Sequence, residues 1–341
     1  MNKTLIKAAG VGVAALAVLL VPTSTPQAEA QHTLSFGTVA PEGTPWADQL
    51  KDFQRRIQTD SGGAIKVKVF LGTMGGEIEM VRDCRRGERL QAVGVSTGAM
   101  GEGAGVPLLQ LPELPYLFRT NAEADAVLDD VLYEPVSKEL DAKGFVFNTW
   151  AENGWRNFAT KGGPASTPAE LSQYKMRSQE SMVHTGMYKS LGTQAVSLPT
   201  SEVMQSLNTG VVDGFDNTPL FSLASGWINP VSHYTLSRHI YQPAAIAYSK
   251  RFMAKLSPDL VAVVTGNPTE EAIKGRKAVR AQEAAMLEVI KAKGIEVIDL
   301  TPEQRKAFSD KTGGVHQDYL AANPAVKPHY KAVQAKLSSM R

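Results

Sequence analysis

The segment from Tyr174 to Pro219 reads YKMRSQESMVHTGMYKSLGTQAVSLPTSEVMQSLNTGVVDGFDNTP. It opens with a short β-prone segment, Lys175–Arg177, and the polar residues Ser178–Ser181 that follow can cap a helix. A helix, a second strand and a second helix come next, and the segment ends in a glycine-containing turn. The pattern predicts alternating strands and helices, with Arg177 at the end of the first strand.

An arginine at the end of a strand that faces a helix start has the geometry to bind a carboxylate. Its guanidinium offers a planar fork of donors, and the first backbone N–H groups of the helix are free to donate as well. The residue type alone leaves open that Arg177 is a surface or salt-bridged arginine.

The order of motifs in this segment resembles the signature of the DctP-type solute-binding proteins of TRAP transporters. The resemblance lies in K-x-R at Lys175–Arg177, Leu191-Gly192, a strand that ends in proline, Ser201-Glu202-Val203, and Val211–Gly214 followed by Asn217. Matching positions run from Ala40-Pro41 through Lys250, and weaker matches extend to the C-terminus, so the resemblance covers nearly all of the mature chain. Members of that family are extracytoplasmic receptors that carry small organic acids to a sodium-driven permease.

The resemblance implies an α/β fold with two lobes. This is the periplasmic-binding-protein fold, in an arrangement like that of type II. The lobes are expected to be joined by crossing strands and by one long helix that spans both. Residues 31–153 with about 243–282 would form lobe I, and residues 154–242 with about 283–341 would form lobe II. The ligand cleft is then expected between the lobes.

The resemblance also implies three ligand-binding residues: Arg177, Arg156 and Asn217. Two arginines beside one pocket would repel each other unless an anion lay between them, so the pair predicts an anionic ligand. The alternative for Arg156 is an ion pair with Glu152 or Glu180.

Three further positions are expected to line the ligand site. Thr200 stands where many relatives place an aromatic residue before S-E-V, and Phe215 stands where the family turn commonly has Gln. Glu77 follows a Leu-Gly turn that lines the cleft in the family, although a carboxylate favoured by the dipole at a helix N-terminus explains it equally well. Gly214 is expected to form a turn at positive φ.

The first thirty residues have the pattern of a secretory signal peptide. Lys3 and Lys7 precede an apolar run at Ala8–Val21, and Ala28–Ala30 gives an A-x-A cleavage pattern. The run is shorter than the ~20 residues that a spanning helix needs. We therefore expect cleavage after Ala30, a periplasmic location and no stable membrane insertion of the mature protein.

Composition excludes several classes of partner and cofactor. With 36 Lys and Arg against 34 Asp and Glu, the net charge of +2 gives no electrostatic case for binding nucleic acid or an anionic membrane. Cys84 is the single cysteine, so no intrachain disulfide forms and a buried, inert thiol is expected. The histidines show no zinc-binding spacing, and we predict neither a metal nor a cofactor.

Before the Tyr174–Pro219 segment, the pattern of residues 34–95 predicts alternating strands and helices in the order βαβαβ. A loop is predicted at Ala151–Gly154, where the chain would first cross between lobes, and a second crossover between two strands is predicted at Tyr241–Pro243. Pro268–Lys293 reads as one helix of about 39 Å, and Thr301–Gln304 as a capping box that opens the C-terminal helices.

These features predict a receptor that binds a small carboxylate and delivers it to TRAP membrane permease subunits, and not an enzyme. A binding protein of an ATP-driven importer, or a sensor, shares the same architecture and remains an alternative. A secreted hydrolase with Ser178, Ser181 or Ser201 as nucleophile is the other alternative. The chain carries no G-x-S-x-G, S-x-x-K or paired-carboxylate signature to support it.

Overall fold

The computed structural model describes residues 30–341. The predicted signal peptide, residues 1–30, lies outside the described residues except for Ala30. Within the described part of the chain, every helix is too short or too polar to cross a membrane.

Nine strands form one mixed sheet in the described residues. They are β1 His32–Thr38, β2 Ile65–Leu71, β3 Ala92–Ser96, β4 Phe145–Thr160, β5 Lys175–Ser178, β6 Gln194–Ser197, β7 Gly214–Asn217, β8 His233–Ser249 and β9 Glu296–Asp299.

Helices cover the faces and ends of this sheet. They are α1 Pro45–Asp60, α2 Glu77–Arg86, α3 Thr97–Ala104, α4 Asn121–Val127, α5 Tyr133–Ala142, α6 Pro168–Leu171, α7 Met182–Ser190, α8 Val203–Thr209, α9 Pro219–Ala224, α10 Lys250–Met253, α11 Pro258–Thr265, α12 Pro268–Arg280, α13 Glu283–Ala292, α14 Pro302–Ala322 and α15 Lys327–Met340. A π-helical turn at Leu128–Leu132 joins α4 to α5, and a 3₁₀ segment covers Pro107–Glu113.

The strand order is β2-β1-β3-β8-β4-β7-β5-β6, with β9 paired to β8. On one side β1 is parallel to β2 and β3, and on the other β5 is parallel to β6 and β7. Between these two groups, the long strands β4 and β8 pair with each other in antiparallel fashion. Two parallel α/β units therefore flank a central antiparallel pair that runs through both, which is the expected α/β class with crossing strands.

The predicted loop at Ala151–Gly154 was wrong, and so was the predicted break between two strands at Tyr241–Pro243. Both segments lie inside the continuous strands β4 and β8, where Trp155 pairs with Tyr241. The turn-forming residues are accommodated by a bulge at Asn153, because Glu152 and Gly154 face consecutive residues of β8. A polar, glycine-containing segment usually ends a strand, but here it remains part of β4 as a bulged stretch.

The predicted long helix is present as two consecutive segments. Helix α12 ends at Arg280 and α13 begins at Glu283, with Ala281 and Gln282 between them. Helix α12 packs against β4 and α1, whereas α13 packs against α9 and β9. The two segments therefore follow different parts of the molecule. The capping box at Thr301–Gln304 is confirmed at the start of α14.

Close packing, rather than a positive φ, explains why a glycine follows Asp213 at position 214. Gly214 is the first residue of β7 and is not among the glycines with positive φ, so that prediction was wrong. A Cβ atom at this position would lie 2.3 Å from the carbonyl oxygen of Ala159 on β4. Asp213 beside it accepts a hydrogen bond from the backbone N–H of Lys175, which fixes the start of β7 against β5.

The apolar core extends through both parallel units. The ring of Phe36 on β1 and the side chain of Trp150 on β4 are buried, as is the expected thiol of Cys84. Burial raises the pKa of that thiol above its ordinary value, which keeps it in the unreactive form. A second cluster gathers Phe158, Met187 and other buried apolar residues near α14.

Candidate functional site

A narrow polar cleft, with a cavity volume of about 20 Å³, lies where the parallel strands end. The ends of β1, β3, β5 and β7 each contribute to it, as expected for α/β sheets in which ligands bind beyond the carboxyl ends of strands. The lining residues are Val39, Trp46, Glu77, Ser96, Asn153, Arg156, Arg177, Gln179, Thr200, Asn217, Phe221 and Gln242. Of the six predicted site residues, five line this cleft and Phe215 does not.

Arg177 is a buried cation near the end of β5, with only 2% of its surface exposed. Its Nε and Nη2 atoms donate to the carbonyl oxygen of Leu198 at 3.0 and 2.6 Å, and the guanidinium lies 5.3 Å from the ring centroid of Trp227. Among the described residues, no carboxylate lies within 4.0 Å of it. Burial and, next, the charge of Arg156 lower the pKa of Arg177 to about 10.

Arg156 is equally buried, but its charge is neutralised within the protein. Its Nε donates to Asp216 Oδ2 at 2.5 Å, its Nη2 donates to the backbone oxygen of Asp216, and its Nη1 donates to Gln242 Oε1 at 2.6 Å. Burial would lower the pKa of Arg156, but the charge and hydrogen bond of Asp216 outweigh it and raise the pKa. The partner is therefore neither Glu152 nor Glu180, and Arg156 lines the cleft as half of an ion pair.

Four amide side chains form a connected hydrogen-bond network in the cleft. Asn153 Nδ2 donates to Asn217 Oδ1 at 3.0 Å and to Gln242 Oε1 at 2.6 Å, and Gln242 Nε2 donates to Gln179 Oε1 at 2.7 Å. Gln179 Nε2 in turn donates to the hydroxyl of Ser96. Because each amide both donates and accepts, the network can rearrange around hydroxyl groups.

Sequence reasoning predicted Asn217 but missed the other three amides. Asn153 and Gln242 lie in the two segments that we expected to be crossovers between strands, and the bulge at Asn153 gives the sequence no simple periodicity. Gln179 directly follows the K-x-R-S segment, so its position after the strand was the available signal.

Glu77 combines both roles considered for it. It is the first residue of α2, and its carboxylate accepts hydrogen bonds from the backbone N–H and the hydroxyl of Ser96 at 2.8 and 3.0 Å. It also lines the cleft. Burial raises the pKa of Glu77 despite these hydrogen bonds, which favours its neutral form.

Thr200 and Phe215 have different surroundings. Thr200 is half-buried and begins a 3₁₀ turn at the rim of the cleft. The ring of Phe215 is fully buried and packs edge-on against Trp227 at 5.4 Å. Because Trp227 lies beside the guanidinium of Arg177, Phe215 supports the cleft from behind and does not face it.

The serines of the hydrolase alternative have no histidine partner among their hydrogen bonds in the described residues. The hydroxyl of Ser178 donates to the backbone oxygen of Gln179, and that of Ser181 donates to Gln110 Oε1 at 2.9 Å. Ser201 is exposed at the rim. Within residues 30–341, no group of three or more His, Cys, Asp or Glu side chains is arranged to hold a metal ion.

Comparison with known proteins agrees with this geometry. Residues 36–323 match the model of the DctP family, bacterial extracellular solute-binding protein, family 7. The chain belongs to this family. The match includes all of the residues that line the cleft.

Relatives within family 7 include receptors for acids. The 2,3-diketo-L-gulonate-binding periplasmic protein YiaO of Escherichia coli K12 is 27% identical, and the alignment covers 85% of this chain and 87% of the relative. This family consists of solute-binding receptors rather than enzymes.

Solved structures of family 7 receptors have the same two-lobed fold. A TRAP periplasmic solute-binding protein of Sulfitobacter sp. NAS-14.1, solved with bound β-D-galacturonate, superposes with a TM-score of 0.82 at 27% identity, covering 87% of this chain and 98% of that one. A TRAP solute-binding protein of Sulfurospirillum deleyianum DSM 6946, solved with bound succinate, gives 0.83 at 25% identity over 90% and 99%.

Proposed function

We propose that this family 7 protein is a periplasmic receptor that binds a small carboxylate in the cleft and delivers it to a TRAP-type permease. The observation that carries the proposal is Arg177, a buried guanidinium with no carboxylate within salt-bridge distance in the described residues. A buried charge without a partner is costly, so the site has free energy to gain from an anion.

The carboxylate is expected to receive charge-assisted hydrogen bonds from the guanidinium, which are stronger than those between neutral groups. In this arrangement Arg177 is the primary anion-binding residue. Arg156, already paired with Asp216, orients the neighbouring amides instead. Acids bound by related receptors, β-D-galacturonate and succinate among them, support this chemical class.

The body of the ligand is expected to carry hydroxyl groups. Asn153, Gln179, Asn217 and Gln242 converge on the cleft, and each offers both a donor and an acceptor. These amides already bond one another and their neighbours, so hydroxyl groups of a ligand can exchange with those bonds by donating and accepting in their place. A purely hydrocarbon chain offers neither a donor nor an acceptor for such an exchange.

Capture is proposed to proceed by hinge closure of two lobes. Lobe I comprises residues 31–153 and about 243–282, and lobe II comprises residues 154–242 and about 283–341. Glu77 and Ser96 from one lobe and Arg177 and Gln179 from the other line the same cleft. A ligand that contacts both sets favours the closed form, and release to the permease then requires reopening.

Export is part of the proposal. Residues 1–30 would direct secretion and be removed after Ala30, and N-terminal sequencing of protein from a periplasmic extract tests this. A mature protein that began elsewhere, or one retained in the cytoplasm, would contradict it.

A thermal-shift screen tests the function. We expect hydroxylated acids such as D-galacturonate, D-glucuronate and D-gluconate, together with succinate, to include a compound that stabilises the protein. At 100 times its Kd, a ligand adds about 2.7 kcal/mol to the free energy of unfolding, a rise in Tm of several degrees. Stabilisation by the uncharged sugars D-galactose or D-glucose, with no response to any acid, would overturn the proposal.

A further inference from the structure

The two sides of the cleft differ in the charges that they present. Both lining cations lie on one side: Arg177 is on β5, and Arg156 is next to the part of β4 that pairs with β7. The opposite side, the β1–β3 side, belongs to the first parallel unit of the sheet. It is formed by Val39 after β1, Trp46 on α1, Glu77 on α2 and Ser96 at the end of β3.

Among the described residues, no cation lines the β1–β3 side. Its charged groups are carboxylates. Glu77 lines the cleft, and Glu113 lies behind it, where it accepts a hydrogen bond from Gln242 Nε2 at 2.9 Å. Neither group supplies a positive charge in either protonation state. Arg82 on α2 is exposed and does not line the cleft.

The helix starts on this side already use their N–H donors within the protein. Glu77 is itself the first residue of α2. At the start of α3, the N–H of Gly98 donates to Glu113, and at the start of α1, the N–H of Ala47 donates to Thr44 Oγ1. Free N–H groups and the helix dipole would attract an anion. Here the protein's own oxygen atoms occupy that place.

The opposite side offers one unpaired positive charge to a ligand. Arg156 pairs with Asp216 at 2.5 Å, whereas Arg177 has no carboxylate within 4.0 Å in the described residues. Behind the cleft, His184 lies 2.6 Å from Glu113 and 3.9 Å from Asp216, and it does not line the cleft. Arg177 can therefore pair with a single ligand carboxylate.

Trp46 gives the β1–β3 side a hydrogen-bond donor. The residue is only 5% exposed, and its Nε1–H is buried without an acceptor among the described residues. Of the described residues that line the cleft, it is the one with such a side-chain atom. Nε1 lies beside Gly94 on β3, where an added Cβ atom would be 3.5 Å away. An indole N–H can only donate, so this group needs an acceptor.

We propose that the cleft selects hydroxylated acids with a single carboxylate, and that Trp46 Nε1–H donates to an uncharged oxygen at the end of the ligand away from Arg177. This inference rests on the proposed function. One N–H is enough for a hydroxyl or ring oxygen, whereas an ionised carboxylate has more lone pairs and a full charge. A second carboxylate would lie beside Glu77 with no cation to pair with, which is costly once water is excluded.

Matched pairs of acids test the selection. Titration calorimetry compares D-gluconate with D-glucarate, D-galacturonate with galactarate, and 4-hydroxybutyrate with succinate. The two acids of a pair have the same carbon chain and differ at one end, where the second acid has another carboxylate. We expect the monoacid of each pair that binds to have at least about tenfold higher affinity.

Nuclear magnetic resonance tests the contact with Trp46 directly. The four tryptophans give four indole N–H signals in a ¹⁵N–¹H spectrum of the wild type. On addition of the preferred monoacid, we expect the Trp46 signal to move downfield as its hydrogen bond forms. The indoles of Trp150 and Trp155 already donate to Leu128 O at 3.0 Å and Asn121 Oδ1 at 2.7 Å, so their signals should move less.

Trp46→Phe removes the N–H and keeps most of the apolar ring. It should weaken binding of the preferred monoacid about 2- to 10-fold, the effect of one hydrogen bond. Trp150→Phe is the matched control, because it also loses a buried indole hydrogen bond but lies outside the cleft, and it should bind as the wild type does. If Trp46→Phe does not fold, the wild-type spectra and calorimetry still decide.

The outcomes separate this inference from the proposed function. A diacid that binds as tightly as its matched monoacid would overturn the selection, even though it would support carboxylate capture. An unmoved Trp46 signal, or equal affinities in the wild type and Trp46→Phe, would show the role of Trp46 to be wrong. If no acid of either kind bound, carboxylate capture itself would be contradicted, and this inference would fail with it.

Discussion

Arg177 and Arg156 have the same charge and lie in the same cleft, but they have different partners. Arg156 forms an ion pair with Asp216, whereas Arg177 has a carbonyl oxygen and an aromatic ring as neighbours. The motif around Lys175–Arg177 was sufficient to predict that Arg177 lines the cleft. The partner of Arg156 could not be predicted, because Asp216 is 60 residues away and reaches it through the pairing of β4 with β7.

Replacing Arg177 by alanine should weaken carboxylate binding by about 2–5 kcal/mol, roughly 30- to several-thousand-fold. The variant loses the charge-assisted hydrogen bonds while the amide network remains. Titration calorimetry with the acid that the thermal-shift screen selects measures the effect. Arg55→Ala, an exposed arginine on α1, is the control and should bind as the wild type does. An unchanged affinity in Arg177→Ala would remove this residue from the site.

Replacing Asp216 by asparagine should destabilise the protein by about 3–5 kcal/mol at pH 7, because it leaves Arg156 buried without its carboxylate. Burial alone would raise the pKa of Asp216, but Arg156 and His239 hold it well below the ordinary 3.8. A carboxyl group with a lowered pKa stabilises the fold above its unfolded-state value, and this contribution is lost as the pH falls through the folded value. The difference between wild type and variant should therefore shrink below about pH 3.8.

Urea denaturation at several pH values measures this difference. The control is Asp310→Asn, which removes an exposed i,i+4 pair with Lys306 and should change the free energy of unfolding by less than about 0.5 kcal/mol. A loss in Asp216→Asn no larger than in the control would contradict the assigned ion pair.

At the scale of elements, strands and helices with clear periodicity were predictable and the continuity of the long elements was not. The alternating pattern of Ile65–Phe70 predicted β2 within one residue. Composition around Asn153 indicated a loop and that around Gln242 a crossover between two strands, yet hydrogen bonding along β4 and β8 keeps both segments in the sheet. Whether an irregular segment stays in a sheet depends on its partner strand, which the local sequence does not reveal. Where a helix such as α12 ends depends in the same way on the surfaces that it and the next segment pack against.

Gly214→Ala should destabilise the protein by about 1–3 kcal/mol, because the added Cβ would lie 2.3 Å from a backbone oxygen on the neighbouring strand. Gly313→Ala is the matched control. Gly313 lies within α14, and its added Cβ would meet nothing within 4 Å, so the same substitution should stabilise by about 0.5–1 kcal/mol. Thermal and chemical unfolding of both variants measure the effects, and equal signs would contradict the packing argument.

The whole molecule is organised around the antiparallel pair β4 and β8, which joins two parallel α/β units. The two-lobed α/β class was predictable because the family resemblance covers nearly the whole chain. The buried network behind the cleft was not, because Glu113, His184 and Asp216 come from three distant segments with no recognisable spacing. Side-chain contacts between such distant segments depend on the tertiary fold and leave no periodic pattern in the sequence.

Small-angle scattering tests closure at this scale. A compact chain of this size has a radius of gyration of about 20 Å. We expect the ligand-free wild type to be larger than the complex with the acid that the screen selects, because hinge closure brings the lobes together. Arg177→Ala should show no contraction at the same acid concentration. A wild type with identical dimensions in both states would argue against closure.

The bulge at Asn153 makes the length of β4 as important as its composition. Side chains alternate along a strand, so deleting or adding one residue before Arg156 would turn that guanidinium to the opposite face of the sheet. Such a change would separate Arg156 from Asp216 although every residue type at the cleft stayed the same. We therefore expect this strand to tolerate substitutions far better than single-residue insertions or deletions, and a one-residue gap placed here in an alignment with a relative signals a misalignment or a rebuilt site.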